Sequence, residues 1–269
     1  MINLLKINLA QDLLHFPKPG SGTVAVWHRN FLYFKHTLLI AMSWIFIEPI
    51  LYLFALGFGL GQFVPSIEGV TYAEFIAPAM MAISGMYVGF FEGTYSTFTK
   101  MTRQNTYQTI VLAPVSSDEI VLGEILWIST KAFFSITSVA LVLVLMGLIQ
   151  TQYLLGVIAV LVLMSWVFAA MGVWLASIAK SYEWFSYLQS AFITPMSLFC
   201  GTYFPLSQMP DGLIYLSYAL PLTHGLMAGR TLLSGEIGSS LMLNLLYLFF
   251  AALFFTSLAA AKFKKKLIV

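Results

Sequence analysis

Two carboxylates, Glu48 and Glu92, fall inside otherwise apolar runs, and an acid in that setting is the residue type that can carry a proton or hold a cation. Glu48 stands directly before Pro49 near the middle of its run, where a charge costs about 2.5 kcal/mol or more, so it must face a bundle interior, a water-filled cavity or a second subunit. Pro49 also frees a backbone carbonyl and bends the helix, and Glu48 reads equally well as a polar group that satisfies that kink. Glu92 lies nearer the end of its run, two turns from Lys100 and too far for a direct bond, and reads as structural. Asp118 and Glu119 follow Ser116 and Ser117 at the start of another run, the pattern of a serine N-cap with acids in the first turn. The same acids are placed to meet basic residues of a partner. Just before them, Tyr107, Ile110, Val111 and Leu112 are spaced to share part of a helix face, with Pro114 following, and apolar surface in such a loop suggests a partner groove. Arg230 reads as a cation that snorkels to an interface and caps a carbonyl, or as a contact for an acidic headgroup or a substrate phosphate.

Several chemistries are excluded by what the chain lacks. No GxxxxGK[ST] loop is present, so any ATP-driven work needs a second protein. HExxH and GxSxG are absent, and the four histidines form no i, i+4 pair, which argues against a metalloprotease or a serine hydrolase. The single cysteine, Cys200, excludes an internal disulfide and any CxxC site. Neither an ion-channel filter nor an arginine-rich voltage sensor appears. A formal charge of +2 gives no basic surface for nucleic acid. Catalytic, metal and cofactor sites are therefore not expected in this chain.

The elements that position these residues are membrane spans. Hydrophobic residues make up 59% of the 269 and charged ones 9%, against about 25% charged in a soluble domain. Runs near 37–61, 73–98, 120–148, 153–179, 184–204 and 240–261 reach the roughly 20 residues that cross a bilayer, which predicts an all-α protein with six transmembrane helices. Residues 1–16 mix polar residues through the apolar ones and do not read as a cleavable signal peptide. Lys6, Lys18, Arg29, Lys35, Lys100, Arg103, Lys180 and the lysines of 262–269 all fall on one side of this topology, which places both termini in the cytoplasm. Trp27, Phe31 and Phe34 recur at helical spacing within 24–35 and predict an amphipathic helix on the inner membrane surface, in an N-terminal segment 1–36. The stretch 205–239 holds two apolar pieces too short to span, punctuated by Pro205, Pro210 and Pro221, and predicts a re-entrant helical hairpin within the membrane domain 37–261.

Gly85, Gly89 and Gly93 form a GxxxGxxxG stripe that admits another helix backbone closely. Tyr203 belongs with the aromatics at span ends, a belt on one reading and a sugar-stacking surface on the other, while Phe192 and Phe199 line a route between the spans or face lipid.

Five stretches carry a family resemblance: VWHRNFLYFK (26–35), EPILYLFALGFGLG (48–61), LAPVSSDEIVLGE (112–124), GTYFPLSQMP (201–210) and LPLTHGLMAGRTLLSG (220–235). Together, in order and spacing, they resemble permeases of type-2 ABC exporters, in the nodulation-protein-J-like lipo-oligosaccharide branch. The resemblance implies a homodimer of six-span subunits in a bacterial inner membrane, bound to two ATPase subunits that hold the ATP and Mg. The implied cargo is an amphipathic glycolipid, lipo-oligosaccharide or polysaccharide, or alternatively a drug or lipid. It also implies that the loop 99–119 carries a coupling helix at about 104–115, with Tyr107, Ile110, Val111, Leu112, Pro114, Asp118 and Glu119 facing the ATPase. Glu48, Pro49, Phe192, Phe199, Tyr203 and Arg230 are then transport-pathway candidates. The competing reading is a stand-alone ion-coupled transporter using Glu48, against which no inverted repeat with paired broken helices is evident.

Overall fold

Two of the long helices begin where the sequence supplies a cap. In the computed structural model, which describes residues 15–37, 51, 53–64, 66, 67, 69–235 and 238–267, the helices in chain order are α1 Ser21–His36, α2 Tyr72–Thr102, α3 Thr106–Val111, α4 Ser117–Leu145, α5 Leu154–Ile178, α6 over 183–199, α7 Asp211–Tyr218, α8 Pro221–Leu233 and α9 Ser239–Leu267. Thr71 opens α2 with a capping box: the Glu74 carboxylate accepts from the Thr71 N–H at 2.8 Å and the Thr71 hydroxyl accepts from the Glu74 N–H at 3.3 Å. Ser116 and Glu119 do the same for α4, at 2.8 and 3.3 Å. Each box satisfies donors that a helix start leaves unpaired.

Four of these helices, α2, α4, α5 and α9, are long and apolar enough to cross a membrane. They match the expected runs within a few residues, except that α9 carries on through the lysines to Leu267, so the basic tail is largely the end of that helix. Most of the expected first run, with Glu48 and Pro49, lies outside the described residues; Leu53–Gly59 and Leu60–Gln62 are helical turns at its far end. The fifth run is shorter than expected. Helical pieces of 6, 5 and 6 residues follow one another without a break and stop at Phe199, spanning about 25 Å at about 1.5 Å per residue. Gly201, with φ of +80°, ends the helix in the left-handed conformation that glycine adopts without strain. The expected pair of short helices is present as α7 and α8, of 8 and 13 residues.

Alpha-helix α5 is apolar on every side because it is surrounded: α2, α4, α8 and α9 all pack on it. The glycine stripe of α2 explains how closely. A Cβ on Gly89 would stand 2.8 Å from the Ser165 carbonyl oxygen, and one on Gly93 would stand 2.8 Å from that of Ala169. Gly172 of α5 returns the fit, since a Cβ there would meet Gly93 Cα at 2.8 Å. Small residues on both helices bring backbone against backbone.

The amphipathic helix α1 presents its aromatic row to the chain's own α4. Trp27 and Phe31 stack at 5.6 Å, Phe34 meets Trp127 at 5.4 Å, and the Trp27 indole N–H donates to the Thr130 hydroxyl at 3.0 Å. Gly123 permits the approach, because a Cβ there would lie 2.7 Å from Val26 Cβ. On α9, by contrast, Leu246, Phe249, Phe250, Leu253 and Phe254 form an exposed stripe at helical spacing.

Candidate functional site

The residues singled out in the loop before α4 gather at one end of the bundle, together with most of its ionisable side chains. Asn105 turns the chain out of α2 with φ of +49°, and α3 follows. This helix is six residues long rather than the expected twelve or so, because Leu112, Ala113 and Pro114 close it before the Ser116 cap. The Gln108 side-chain amide donates to the Met101 carbonyl at 3.2 Å and fastens α3 to the end of α2.

Only part of the expected partner face is exposed. Tyr107 points into the bundle, fully buried, with its ring edge-on to Phe263 at 5.0 Å. It packs on its own chain, because its position on α3 faces the gap between α2, α4 and α9. Burial, and next the neighbouring Glu124 carboxylate, push its phenol well above the usual range, so Tyr107 stays neutral. Ile110 is half-buried against the same cluster. Val111 is 46% exposed and Leu112 88%, and Pro114 is exposed beside them. The result is an apolar tip on a short helix whose opposite side is locked into the core.

Asp118 and Glu119 are engaged internally. Asp118 accepts from His15 Nε2 at 2.9 Å, and Glu119, besides its box with Ser116, accepts the Gly22 N–H at 2.9 Å. Asp118 therefore ties α4 to the segment leading into α1, and Glu119 ties it to the first turn of α1.

Sequence reasoning missed the centre of this region, Glu124. Its carboxylate is buried, bonded to Lys100 Nζ at 2.7 Å, and faces the Arg29 guanidinium at 3.6 Å. Asn30 lies between the cations, its Oδ1 accepting from Arg29 at 2.8 Å and Lys100 at 3.2 Å. One level deeper, Glu92 pairs with Lys131 of α4 at 2.7 Å, while Lys100, two turns along α2, pairs with Glu124. The signal was available: acid then base at 92 and 100 on α2, acid then base at 124 and 131 on α4, which cross-pair when the two helices run antiparallel. Lys131 also lies 5.5 Å from the Phe34 ring. Lys266 closes the end of α5, donating to the carbonyls of Ala176 and Ala179 at 3.3 and 3.2 Å.

The pathway candidates are dispersed. Arg230 on α8 donates to the Phe75 carbonyl at 3.2 Å and lies over the Phe75 ring at 4.1 Å. The Tyr203 carbonyl accepts from Tyr72 at 3.2 Å, so both converge on the start of α2, at the end opposite the ion pairs. Phe192 and Phe199 sit on α6, 40% and 38% exposed.

Apolar helices wrapped round a central one, with ion pairs collected at one end, define a polytopic membrane protein. The chain belongs to the ABC-2 type transporter family, whose profile matches residues 22–234. It is 35% identical over 220 residues to Nodulation protein J of Rhizobium meliloti (strain 1021), covering 82% of this chain and 84% of that protein. Nodulation protein J of Bradyrhizobium diazoefficiens is 34% identical over 254 residues, 94% and 96% of the two chains. The protein of the same name from Azorhizobium caulinodans is 26% identical over 227 residues, 83% of this chain and 89% of that one. The chain is thus a membrane transport subunit of the ABC-2 permease type.

Proposed function

We propose that the chain is the permease half of an ABC exporter: two copies with two separate ATPase subunits, moving an amphipathic glycolipid, lipo-oligosaccharide or polysaccharide outward across a bacterial inner membrane. The observation that carries this reading is the apolar tip at Val111, Leu112 and Pro114, exposed to water on a helix clamped to the core by Tyr107 and Gln108. Exposed apolar surface of this kind is stabilised by a partner groove, and a helix tied to the end of α2 by Gln108 and inserted between α2, α4 and α9 by Tyr107 is suited to pass a push from that groove into the bundle. The lack of a phosphate-binding loop in the chain assigns ATP and Mg to the partner.

In this reading the charged end faces the cytoplasm, with Lys100, Arg103, Lys180 and the α9 lysines on that side, and α1 rests at the inner surface. Residues 37–61 and α6 supply the remaining two spans, giving six, with both termini inside. Helices α7 and α8 form a hairpin that enters the outer leaflet and returns. The resemblance to the lipo-oligosaccharide branch, carried by the five stretches quoted above, favours a lipid-linked saccharide over a drug as cargo. Purification of the complex from its native membrane, followed by intact mass measurement and an ATPase assay, tests the proposal. Two permease chains with two nucleotide-binding chains are expected; repeated recovery of this chain alone without ATPase activity would overturn it.

A further inference from the structure

A cavity of about 630 Å³ opens at the charged end between α1, the end of α2, the turn into α3 and Tyr182. Its lining includes Arg29, Asn30, Tyr33, Thr99 and Lys100. Donors outnumber acceptors in this wall. Arg29 carries five N–H groups, gives one to Asn30 at 2.8 Å, and stands 3.6 Å from Glu124, beyond hydrogen-bond reach. Lys100 gives two of its three N–H groups to Glu124 and Asn30. Asn30 is 4% exposed; with its oxygen held by both cations, its amide nitrogen has no partner. Two cations thus face one carboxylate, and the charge of the wall is positive.

We propose that this cavity seats a phosphoryl group. The Arg29 fork matches two phosphoryl oxygens at once, Lys100 adds a point charge, and the Tyr33 phenol, on a residue 74% exposed, adds a neutral donor at the rim. A carboxylate has two oxygens, both taken by the fork, whereas a phosphoryl group keeps a third for Lys100. Leu32, which precedes Tyr33 on α1, is 47% exposed, so the helix that walls the cavity also offers apolar surface to an acyl chain. The phosphoryl group belongs either to the head of an anionic membrane lipid, which basic pockets at the inner face attract, or to a soluble phosphate ester. The lipid source rests on the proposed placement of this end at the inner membrane surface.

The test uses the purified transporter complex, delipidated in detergent and titrated with phosphatidylglycerol, with diacylglycerol as the phosphate-free control, under native mass spectrometry. Thermal melting with inorganic phosphate forms the second arm. Retention of phosphatidylglycerol but not diacylglycerol, weakened about tenfold in Arg29→Gln, is the expected result for a lipid head, about the loss of one charge-assisted contact. A phosphate-dependent rise in Tm that Arg29→Gln abolishes, with phosphatidylglycerol bound equally by both proteins, assigns the site to a soluble phosphate. Arg29→Lys keeps the charge opposite Glu124 but loses the fork, and should bind several-fold more weakly than the native protein even if Arg29→Gln fails to fold. Equal lipid retention by the native protein and the Arg29 variants, with no phosphate response, would overturn the proposal. The same spectra report whether the ATPase is attached, so a failure of the exporter reading registers separately.

Discussion

The two ends of this bundle are held by different forces. At the charged end the ties are ionic and join elements distant in sequence: Glu124 with Lys100 and Arg29, Glu92 with Lys131, Asp118 with His15. At the far end side chains satisfy backbone carbonyls at turns: Tyr247 donates to Ala219 at 2.6 Å, Thr223 to Ser217 at 2.7 Å, and a His224 ring nitrogen meets the Tyr218 carbonyl at 2.8 Å. A network of buried charges is costly to break and moves as a unit. Neutral bonds to turn carbonyls can be lost singly at modest cost. In the proposed exporter, the charged end, where α3 is clamped, is then the part suited to pass on a push from the ATPase, and the far end, made of short pieces, the part suited to open.

This contrast can be broken by mutation. The largest effect should come from Lys100→Met, which leaves Glu124 buried with Arg29 alone at 3.6 Å; a loss of about 3 kcal/mol is expected as a drop in Tm, with partial recovery in the Lys100→Met, Glu124→Gln double variant. An unchanged Tm would mean that Glu124 is neutral or reaches water. Next, Gly89→Ala should cost about 1–3 kcal/mol, because its Cβ would press on the Ser165 backbone at 2.8 Å. Gly156→Ala, whose Cβ would find its nearest neighbour, the Leu232 side chain, at 3.5 Å, should instead gain about 0.5–1 kcal/mol from helix propensity. At the far end, Tyr247→Phe removes one hydrogen bond to the Ala219 carbonyl and should cost about 1 kcal/mol by the same melting measurement. Smallest of all, Asp118→Asn loosens the part-exposed pair with His15 and should stay within about 1 kcal/mol. If the far-end variant proved as damaging as Lys100→Met, the distinction between the two ends would fail.

Much of this was written in the sequence, because apolar runs and caps are local signals. The starts of α2 and α4 follow from Thr71 with Glu74 and Ser116 with Glu119, and the backbone contact of α2 with α5 follows from the spacing of Gly85, Gly89 and Gly93. Side-chain direction on a single turn was not legible. Tyr107 and Leu112 look alike as apolar loop residues, yet one is fully buried and the other 88% exposed, a difference set by where Phe263 of α9 arrives. The aromatic row of α1 likewise reads as lipid-facing until Trp127 of α4 meets it. Glu124 escaped notice because a buried acid betrays itself only when both partners, 24 positions away on α2 and 95 away on α1, are placed beside it.

The central claim is that α3 delivers its apolar tip to an ATPase while its other side is fixed in the bundle. Leu112→Asp places a charge at a residue 88% exposed, so the protein should insert and melt as the native chain does, yet lose the co-purifying ATPase and its hydrolysis. A Leu112→Asp protein that keeps a full complement of ATPase subunits would contradict the account.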